Sequence, residues 1–298
     1  MEEDTRYSNS VPYKEAYYYE KLDDKEVHCR LCPHGCRIRP GNVGVCQVRK
    51  NIDGVLYSLN YGRIASIALD PIEKKPLYHF YPGSQILSAG TFGCNFKCSF
   101  CQNWSIAQDV PDTVWMTPEQ LVEKAVELKN HGNIGIAYTY NEPSIWYEFV
   151  IEASKLAKKK DLVNVLVTNG FISIEPLREL LPYIDAMNID VKAFTERFYK
   201  KICQGSLGHV KAAVEEAASH CHVEVTTLVI PDLNDSVEEI DELASWLSSI
   251  SSEIPLHLSR FFPNYLMSDK SPTPVETLKA ARSQALKYLK YVHLGNVW

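Results

Sequence analysis

The sequence has no excess of positive charge. Its 298 residues include 31 Lys and Arg against 37 Asp and Glu, which gives a formal net charge of −6. A protein that holds the phosphates of a nucleic acid presents a basic face. The dense basic run Lys158-Lys159-Lys160 fits the end of a helix better, where cations suit the dipole. We therefore expect no nucleic-acid partner.

The sequence also lacks any apolar run that approaches the length of a membrane span. Its start, Met1-Glu2-Glu3-Asp4, is acidic, unlike that of a secretory signal peptide. We expect a cytoplasmic protein without membrane contact. Thiols stay reduced in that compartment, so nine cysteines indicate metal binding or catalysis rather than disulfides. Seven of them fall in two clusters, and we expect Cys203 and Cys221 to be ordinary semi-buried thiols.

The later cluster has the spacing C-x3-C-x2-C, formed by Cys94, Cys98 and Cys101. A [4Fe–4S] cube needs one ligand for each iron, so three thiolates leave one iron open to a substrate or cofactor. The apolar run at residues 84–91 predicts a buried strand just before the cysteines. The cysteines should then lie at the C-terminal end of a strand, where the active sites of α/β barrels collect. A structural zinc loop remains an alternative.

The earlier cluster has the spacing C-x2-C-x3-C-x9-C, formed by Cys29, Cys32, Cys36 and Cys46. Four thiolates in so short a segment predict a metal knuckle. Either zinc or a second iron–sulfur cluster would satisfy four sulfur ligands, and the spacing does not separate them. The knuckle belongs to a predicted N-terminal appendage, residues 1–83.

Within the appendage, the polar residues up to Pro12 are expected to be poorly ordered, and residues 13–22 to form a short helix. A hairpin is predicted from residues 55–59 and 64–69. Residues 70–83 are too rich in proline and aromatics for a regular element and should pack over the bottom or rim of the main domain.

From residue 84 the sequence alternates strand and helix patterns to its end. Capping boxes at Thr117, Ser236 and Thr273 mark three helix starts. About six repeated βα units predict a parallel sheet with helices outside, in a partial and open version of the eight-stranded barrel. We assign residues 84–298 to this one domain.

Polar residues follow three of the predicted strands. The turn 140–143 (Tyr-Asn-Glu-Pro) offers a carboxylate for an ammonium group, and it also fits a helix start. Thr168 and Asn169 can hydrogen-bond a ribose or a carboxylate. Asp190 and Lys192 place two charges at the end of an apolar strand, which is costly unless they are used or pair with each other.

The loop at residues 93–101, Gly-Cys-Asn-Phe-Lys-Cys-Ser-Phe-Cys, resembles the cluster loop of radical S-adenosylmethionine (SAM) enzymes. Four further motifs extend the likeness over nearly the whole chain. They are Cys-x2-Cys-Pro-His-x-Cys at 29–36, Leu-Asn-Tyr-Gly-Arg at 59–63, Asp-Pro-Ile-Glu-Lys-Lys-Pro-Leu at 70–77 and Tyr-Thr-Tyr-Asn-Glu-Pro at 138–143. Together they are similar to the AmmeMemoRadiSam-system radical SAM proteins, a group related to pyruvate formate-lyase activating enzyme.

The resemblance implies an α/β fold, a partial (β/α)6 radical SAM barrel with a small cysteine-rich appendage. It implies that Cys94, Cys98 and Cys101 bind a [4Fe–4S] cluster and that Phe100 lies against the adenine of SAM. Further contacts to SAM are implied for six residues, and Asp190 and Lys192 match residues at the reaction site. Those six are Tyr140, Asn141, Glu142, Thr168, Asn169 and Asp190.

The sequence departs from the motifs of these enzymes at several positions. Tyr140 and Asn141 replace two glycines of the turn that meets the methionyl ammonium. Val167 stands where related activases have an aspartate, which removes a ligand for a monovalent cation, and Asp232 stands where glycine is usual. The sequence ends without the Cys-x-x-Cys pair that often follows in this group.

The implied reaction is reductive cleavage of SAM to methionine and a 5′-deoxyadenosyl radical that abstracts hydrogen from a substrate. The electron would come from a partner such as ferredoxin or flavodoxin. The substrate, a small molecule or a protein, stays open. One alternative is an activase of a glycyl-radical enzyme, whose substrate is a protein. The other is a metal-binding scaffold or electron carrier that does not react with SAM.

Overall fold

An eight-stranded sheet forms the centre of the protein in a computed structural model that describes residues 13–297. The expectation for residues 1–12 lies outside the described residues. No helix within 13–297 is long and apolar enough to cross a bilayer.

Short antiparallel strands build the N-terminal appendage. They are β1 (Lys14–Glu15), β2 (Tyr19–Lys21), β3 (Val27–Cys29), β4 (Arg37–Ile38), β5 (Arg49–Ile52), β6 (Val55–Ser58) and β7 (Arg63–Ile64). They pair in the orders β1-β6-β5 and β2-β3-β4, while β7 pairs with a later strand, Val114–Trp115.

The helix predicted over residues 13–22 is wrong, because β1 and β2 occupy this segment. Tyr18 lies between them with a left-handed φ of 56°. The rings of Tyr17 and Tyr18 both pack edge-on against Tyr147, with centroids 6.4 and 5.4 Å away. This packing against the barrel decides the local conformation over the weak helical preference of the segment.

The predicted hairpin is also wrong in its pairing. Strand β6 pairs with β5 across Asp53-Gly54 instead. Both turn residues have positive φ, 53° and 88°, as a two-residue hairpin turn requires, and Asp-Gly is a strong signal for such a turn. Residues 66–71 join the main sheet, so the expectation that residues 70–83 contain no regular element is wrong at Asp70 and Pro71.

The main sheet contains seven parallel strands and one antiparallel edge strand. They are β8 (Ser66–Pro71), β9 (Gln85–Gly90), β11 (Asn133–Tyr138), β12 (Val163–Thr168), β13 (Ala186–Asp190), β14 (His222–Val229), β15 (Leu256–Arg260) and β16 (Val292–Gly295), with β10 as Val114–Trp115 outside this sheet. The order is β16-β15-β14-β13-β12-β11-β9-β8, with β8 antiparallel to β9. The predicted open α/β barrel is thus confirmed. The boundary at residue 83 stays a prediction, although β8 already belongs to this sheet.

Helices connect the parallel strands. The α-helices are α1 (Trp104–Ala107), α2 (Pro118–Glu127), α3 (Tyr147–Lys158), α4 (Ile174–Leu180), α5 (Glu196–Phe198), α6 (Leu207–Ala218), α7 (Val237–Ile250) and α8 (Val275–Ala285). A π-helical turn, Tyr199–Cys203, continues α5. Short 3-10 turns cover Asp23–Lys25, Ile72–Lys74, Leu128–His131, Pro143–Trp146, Leu181–Tyr183 and Tyr265–Met267.

Only one of the three predicted capping boxes is complete. Thr117 and Gln120 form both reciprocal bonds at the start of α2. Ser236 accepts from the N–H of Glu239, but the Glu239 carboxylate accepts from the N–H of Phe194 instead. The Thr273 box is wrong, since its hydroxyl donates to the carbonyl of Val229, 2.6 Å away, and no side chain caps α8.

Residues 75–80, here called the plug, fill the inside of the barrel. Leu77 packs among inward-facing side chains of β9, β11, β12 and β13. At the N-terminal ends of the strands, the buried Glu224 carboxylate accepts the N–H groups of Tyr78 and His79 at 3.1 and 2.8 Å. Packing over the barrel bottom is therefore confirmed, and the segment also reaches upward into the interior.

Candidate functional site

One cavity of about 400 Å³ lies at the C-terminal edge of the parallel sheet. Every residue that the sequence assigned to the cluster and SAM lines it. They are Cys94, Cys98, Phe100, Cys101, Tyr140, Asn141, Glu142, Thr168, Asn169, Asp190 and Lys192. Parallel strands place their C-terminal ends at one edge, which brings together residues far apart in sequence.

Helix α5, the π-helical turn after it and the residues up to Gly205 are here called the α5 segment. The end of this segment holds the loop that carries the three cysteines in place. The N–H of Lys97 donates to the carbonyl of Cys203 at 2.8 Å, and the N–H of Ser99 donates to the carbonyl of Ile202 at 3.3 Å. Both acceptors belong to the π-helical turn, which leaves carbonyls free of the regular helical ladder. The loop is therefore positioned through its backbone, and its three cysteine side chains face the cavity.

The three thiols face one cavity, and their pKa values are raised so that each keeps its proton. Burial raises the pKa of Cys94 and of Cys101 above the ordinary thiol value. For Cys98, a hydrogen bond with the Cys203 thiol is the main cause of a raised pKa, followed by burial. Binding iron must displace these protons. Three thiols facing one cavity, with room beside them, fit a cube that keeps one iron open.

The structure corrects the expectation for Cys203. This residue is fully buried and touches Cys98 rather than being an isolated, semi-buried thiol. No local sequence motif predicts the contact of Cys203 with Cys98, because that contact depends on how the α5 segment packs against the cysteine loop.

Glu142 braces the next two strand ends. Its carboxylate accepts from the N–H of Ser144 at 2.9 Å, the hydroxyl of Thr168 at 2.7 Å and the N–H of Asn169 at 2.8 Å. It is 2% exposed, and burial raises its pKa. The bond to Ser144 caps the 3-10 turn, so the helix-start interpretation describes part of its geometry. Its contact with an ammonium stays a prediction.

Asn169 connects this brace to the cysteine loop. Its amide donates to the side-chain oxygen of Asn95 at 2.9 Å and contacts the Cys94 sulfur at 3.7 Å. Asn95 in turn donates to the carbonyl of Phe171 at 2.7 Å. A displacement of Glu142 would therefore be transmitted to the neighbour of the first cysteine.

Tyr140 has a left-handed φ of 73°, the conformation that a glycine would adopt easily at this position. Contacts of the side chain offset the strain. Its hydroxyl donates to Asp70 at 2.8 Å, and the Lys75 ammonium lies 4.7 Å from its ring centroid. The Tyr replacement is thus accommodated, whereas its contact to SAM stays a prediction.

Lys75 lines the cavity with Asp70 as its ion-pair partner, and the sequence analysis did not identify either as a site residue. Their charged groups lie 2.8 Å apart, and Lys75 lines the cavity while only 3% exposed. Burial alone would raise the pKa of Asp70, yet the bonds from Lys75 and Tyr140 lower it to about 2. Burial lowers the pKa of Lys75. The charged motif at 70–77 was the available signal.

Asp190 and Lys192 form an ion pair at 2.6 Å while both line the cavity. Burial opposes the Lys192 charge, but Asp190 and the nearby thiols together raise its pKa. The alternative that they pair with each other therefore describes the structure, and pairing does not remove them from the site.

Asn141 and Phe100 line the cavity wall and carry no charge. Asn141 accepts from the N–H of Thr91 at 3.1 Å and donates to the carbonyl of Gly93 at 2.9 Å. Phe100 is 4% exposed, and its ring centroid lies 6.0 Å from that of Phe198. Adenine stacking on Phe100 stays a prediction.

The four N-terminal cysteines converge as predicted. Cys29, Cys32, Cys36 and Cys46 all line one cavity of about 10 Å³. Burial raises the pKa of Cys29 and brings that of Cys46 to about 11. Within residues 13–297, no group of three or more Cys, His, Asp or Glu side chains is arranged closely enough to hold one metal ion. The metal here stays a prediction.

A family model described as the Radical SAM superfamily matches residues 89–247, more than half of the chain. The chain belongs to the radical SAM superfamily. It is therefore an enzyme of a superfamily whose members bind a [4Fe–4S] cluster and SAM, and the matched range contains all three cysteines of the cavity.

Two relatives from Methanocaldococcus jannaschii are similar in sequence to this radical SAM enzyme. The uncharacterized protein MJ0808 is 46% identical over 95% of this chain and 85% of its own length. MJ1632, whose name designates a glycyl-radical enzyme activating enzyme, is 26% identical over 68% of this chain and 77% of its own.

Among solved structures, Streptococcus suis SuiB bound to S-adenosylmethionine matches with a TM-score of 0.54 at 13% identity. The match covers 70% of this chain and 51% of SuiB. At this identity the likeness supports the shared barrel fold alone.

Proposed function

We propose that this radical SAM enzyme cleaves SAM at a [4Fe–4S] cluster held by Cys94, Cys98 and Cys101, and removes a hydrogen atom from a substrate. The observation that carries the proposal is the single cavity that joins these thiols to the polar ends of the next three strands. When bound, the cluster supplies the electron that splits SAM into methionine and a 5′-deoxyadenosyl radical.

The residues around the thiols bind SAM and orient it. Glu142 holds Thr168 and Asn169 in place, so that their remaining polar atoms face a ribose or a carboxylate. The Asp190–Lys192 pair places one charge of each sign near the thiols without a net charge. Buried walls, such as Phe100, exclude water from the reactive species.

The source of the electron is proposed to be a ferredoxin or a flavodoxin, because reductive cleavage of SAM needs a one-electron donor of low potential and radical SAM enzymes generally take that electron from a partner. The substrate remains defined only as a molecule with an abstractable hydrogen. The relative MJ1632 supports an activase of a glycyl-radical enzyme as the second candidate. A radical formed on a backbone glycine of a partner protein would distinguish this activase from an enzyme that acts on a small molecule.

Anaerobic assays test the proposal. The purified enzyme, with SAM and dithionite, should release methionine and 5′-deoxyadenosine. Cys98→Ala should lower the rate at least a hundredfold, because it removes an iron ligand, while Cys221→Ala, outside the cavity, should keep the wild-type rate. Release of neither product from wild-type protein that contains a complete cluster would overturn the proposal.

A further inference from the structure

The cysteine loop reaches from the end of β9 to the segments that follow β13 and β15. Ser99, which lies between two of the three cysteines, donates its N–H to the carbonyl of Ile202 at 3.3 Å. The Ser99 carbonyl accepts from the N–H of Leu266 at 3.0 Å. Ile202 belongs to the α5 segment, and Leu266 belongs to the 3-10 turn after β15. The half-buried Ser99 therefore joins these two segments into one continuous surface.

The α5 side of this surface is basic. Arg197 is exposed, and so are Lys200 and Lys201, which follow it by three and four residues and therefore share one side of the helical stretch. In the part of the chain that the structure describes, none of the three has an ion-pair partner. The neighbouring Glu196 carboxylate is directed elsewhere, because it accepts from the N–H of Gly208 at 3.0 Å. These free cations form a local positive patch on a chain whose net charge is −6.

The other side of the surface is apolar. Leu266 is 67% exposed. The indole of Trp104, which is 42% exposed, stacks on the ring of Tyr265 with the centroids 5.3 Å apart. Exposed apolar side chains that lie together mark an interaction site, whereas single ones need no such explanation.

This surface lies beside the proposed iron ligands. Cys203 ends the π-helical turn that carries Lys200 and Lys201, and its thiol hydrogen-bonds the thiol of Cys98. The Cys203 carbonyl also accepts from the N–H of Lys97 at 2.8 Å. A partner docked here would therefore be separated from the three cysteines only by the cysteine loop and the end of the α5 segment.

We propose that a small acidic electron-carrier protein docks on this surface and reduces the cluster through it. The surface, here called the docking face, is formed around Ser99 by Trp104, Arg197, Lys200, Lys201 and Leu266. This inference rests on the proposed function and names the place where its electron enters. The basic side attracts the acidic rim of the carrier, and the apolar side covers the apolar edge of its redox centre. The carrier loses one electron to the cluster, no bond forms or breaks in this step, and the cleavage of SAM consumes that electron.

Carrier binding is the first test. The affinities of an acidic flavodoxin and an acidic ferredoxin for the cluster-loaded enzyme are measured by calorimetry at about 0.05 M and about 0.3 M salt. Lys200→Glu/Lys201→Glu should weaken the binding of at least one carrier tenfold or more at the lower salt concentration. The loss should be smaller at the higher concentration, because salt screens the attraction between exposed charges.

A matched variant controls for the change in net charge. Lys159→Glu/Lys160→Glu makes the same change at exposed positions just after α3, at the N-terminal edge of the sheet, and should bind like the wild type. Equal carrier affinity in the two double variants would overturn the proposal and leave the docking face to another partner, such as a protein substrate. A wild type that binds neither carrier would overturn it as well.

The apolar side has its own test. Leu266→Ser should weaken carrier binding at least threefold and by the same factor at both salt concentrations, because it removes apolar contact and no charge. Leu286→Ser, at an exposed leucine that follows α8, is the control. A loss that disappears at high salt, or that the control shares, would contradict an apolar contact at this position.

Entry of the electron is tested by comparing two reductants. SAM cleavage is measured with reduced flavodoxin, below its dissociation constant, and with dithionite, which is small and needs no docking face. The flavodoxin-to-dithionite ratio of rates should fall at least tenfold in Lys200→Glu/Lys201→Glu and keep the wild-type value in Lys159→Glu/Lys160→Glu. An unchanged ratio in the first variant would overturn the proposal. A wild type that forms no 5′-deoxyadenosine with dithionite would instead refute the proposed function, a result separate from the measured carrier affinities.

Discussion

At the scale of single residues, the site depends on side chains that hold other side chains. Glu142 fixes two strand ends, and Asn169 passes this restraint to Cys94. The sequence identified Glu142 and Asn169 because each follows an apolar strand. It did not identify Cys203, because its neighbour Cys98 lies about 100 residues earlier in the chain. It did not identify Lys75 as a site residue, because the charged motif at 70–77 does not show that Tyr140 packs beside it.

Replacing Glu142 by Gln should weaken both the fold and the binding of SAM. The amide presents a donor where the carboxylate accepts from two N–H groups and a hydroxyl, so at least one buried donor loses its partner. We expect a loss of about 2 kcal/mol in the free energy of unfolding and about tenfold in SAM affinity, measured by urea titration and equilibrium dialysis. Glu123→Gln, on the exposed face of α2, is the control. Unchanged values for both quantities would refute the bracing role.

At the scale of elements, the barrel strands were predictable and the plug was not. The strands are apolar runs rich in β-branched residues, bounded by turns and caps, so their period and composition give their positions. The plug has no period, and its position is fixed by bonds to Glu224 inside the barrel. Strands β1 and β2 were missed for a similar reason, because packing of Tyr17 and Tyr18 against the barrel outweighs local preference.

The plug should make the fold sensitive to acid. Burial would raise the pKa of Glu224, but bonds from His222, His257 and the plug N–H groups lower it to about 2. A lowered pKa means that the stabilisation is complete above the ordinary value of about 4.5 and is lost as the pH falls toward 2. The ionised Glu224 carboxylate therefore contributes about 3 kcal/mol to the free energy of unfolding at neutral pH.

Glu224→Gln should therefore be less stable than the wild type at pH 7, with the difference shrinking toward zero between pH 4.5 and pH 2. Urea unfolding of both proteins in the same cluster-free state measures this. A difference that stays constant over that range would show that Glu224 does not hold the plug through its charge.

The contact between the α5 segment and the cysteine loop is equally specific. A Cβ on Gly205 would lie 2.2 Å from the ring of Phe96, which sits between Cys94 and Cys98. Gly205→Ala should push this loop away and lower the iron content of the protein by about half, at a cost of about 1–3 kcal/mol in stability. Gly208→Ala is the matched control, because its Cβ would meet only Glu196, at 3.7 Å. Equal iron content in the two variants would contradict this account.

At the scale of the whole molecule, two cysteine sites share one edge of an open barrel. The sequence predicted each site from its spacing and predicted the barrel from repeated βα units. It could not predict that Gly93 and His34 bring the two sites into contact, because that contact joins residues from separate segments. The pairing of β8 with β9, which ties the appendage to the sheet, was also beyond a local pattern.

The central claim is that Cys94, Cys98 and Cys101 leave one iron open for SAM inside the described cavity. Electron–nuclear double resonance on the reduced enzyme, mixed with SAM labelled with ¹⁵N in its amino group, tests it most directly. The account predicts a ¹⁵N coupling to the cluster signal that unlabelled SAM replaces with a ¹⁴N coupling and that is absent in Cys98→Ala. A fully loaded, reduced cluster whose signal shows no coupling to bound SAM would contradict it.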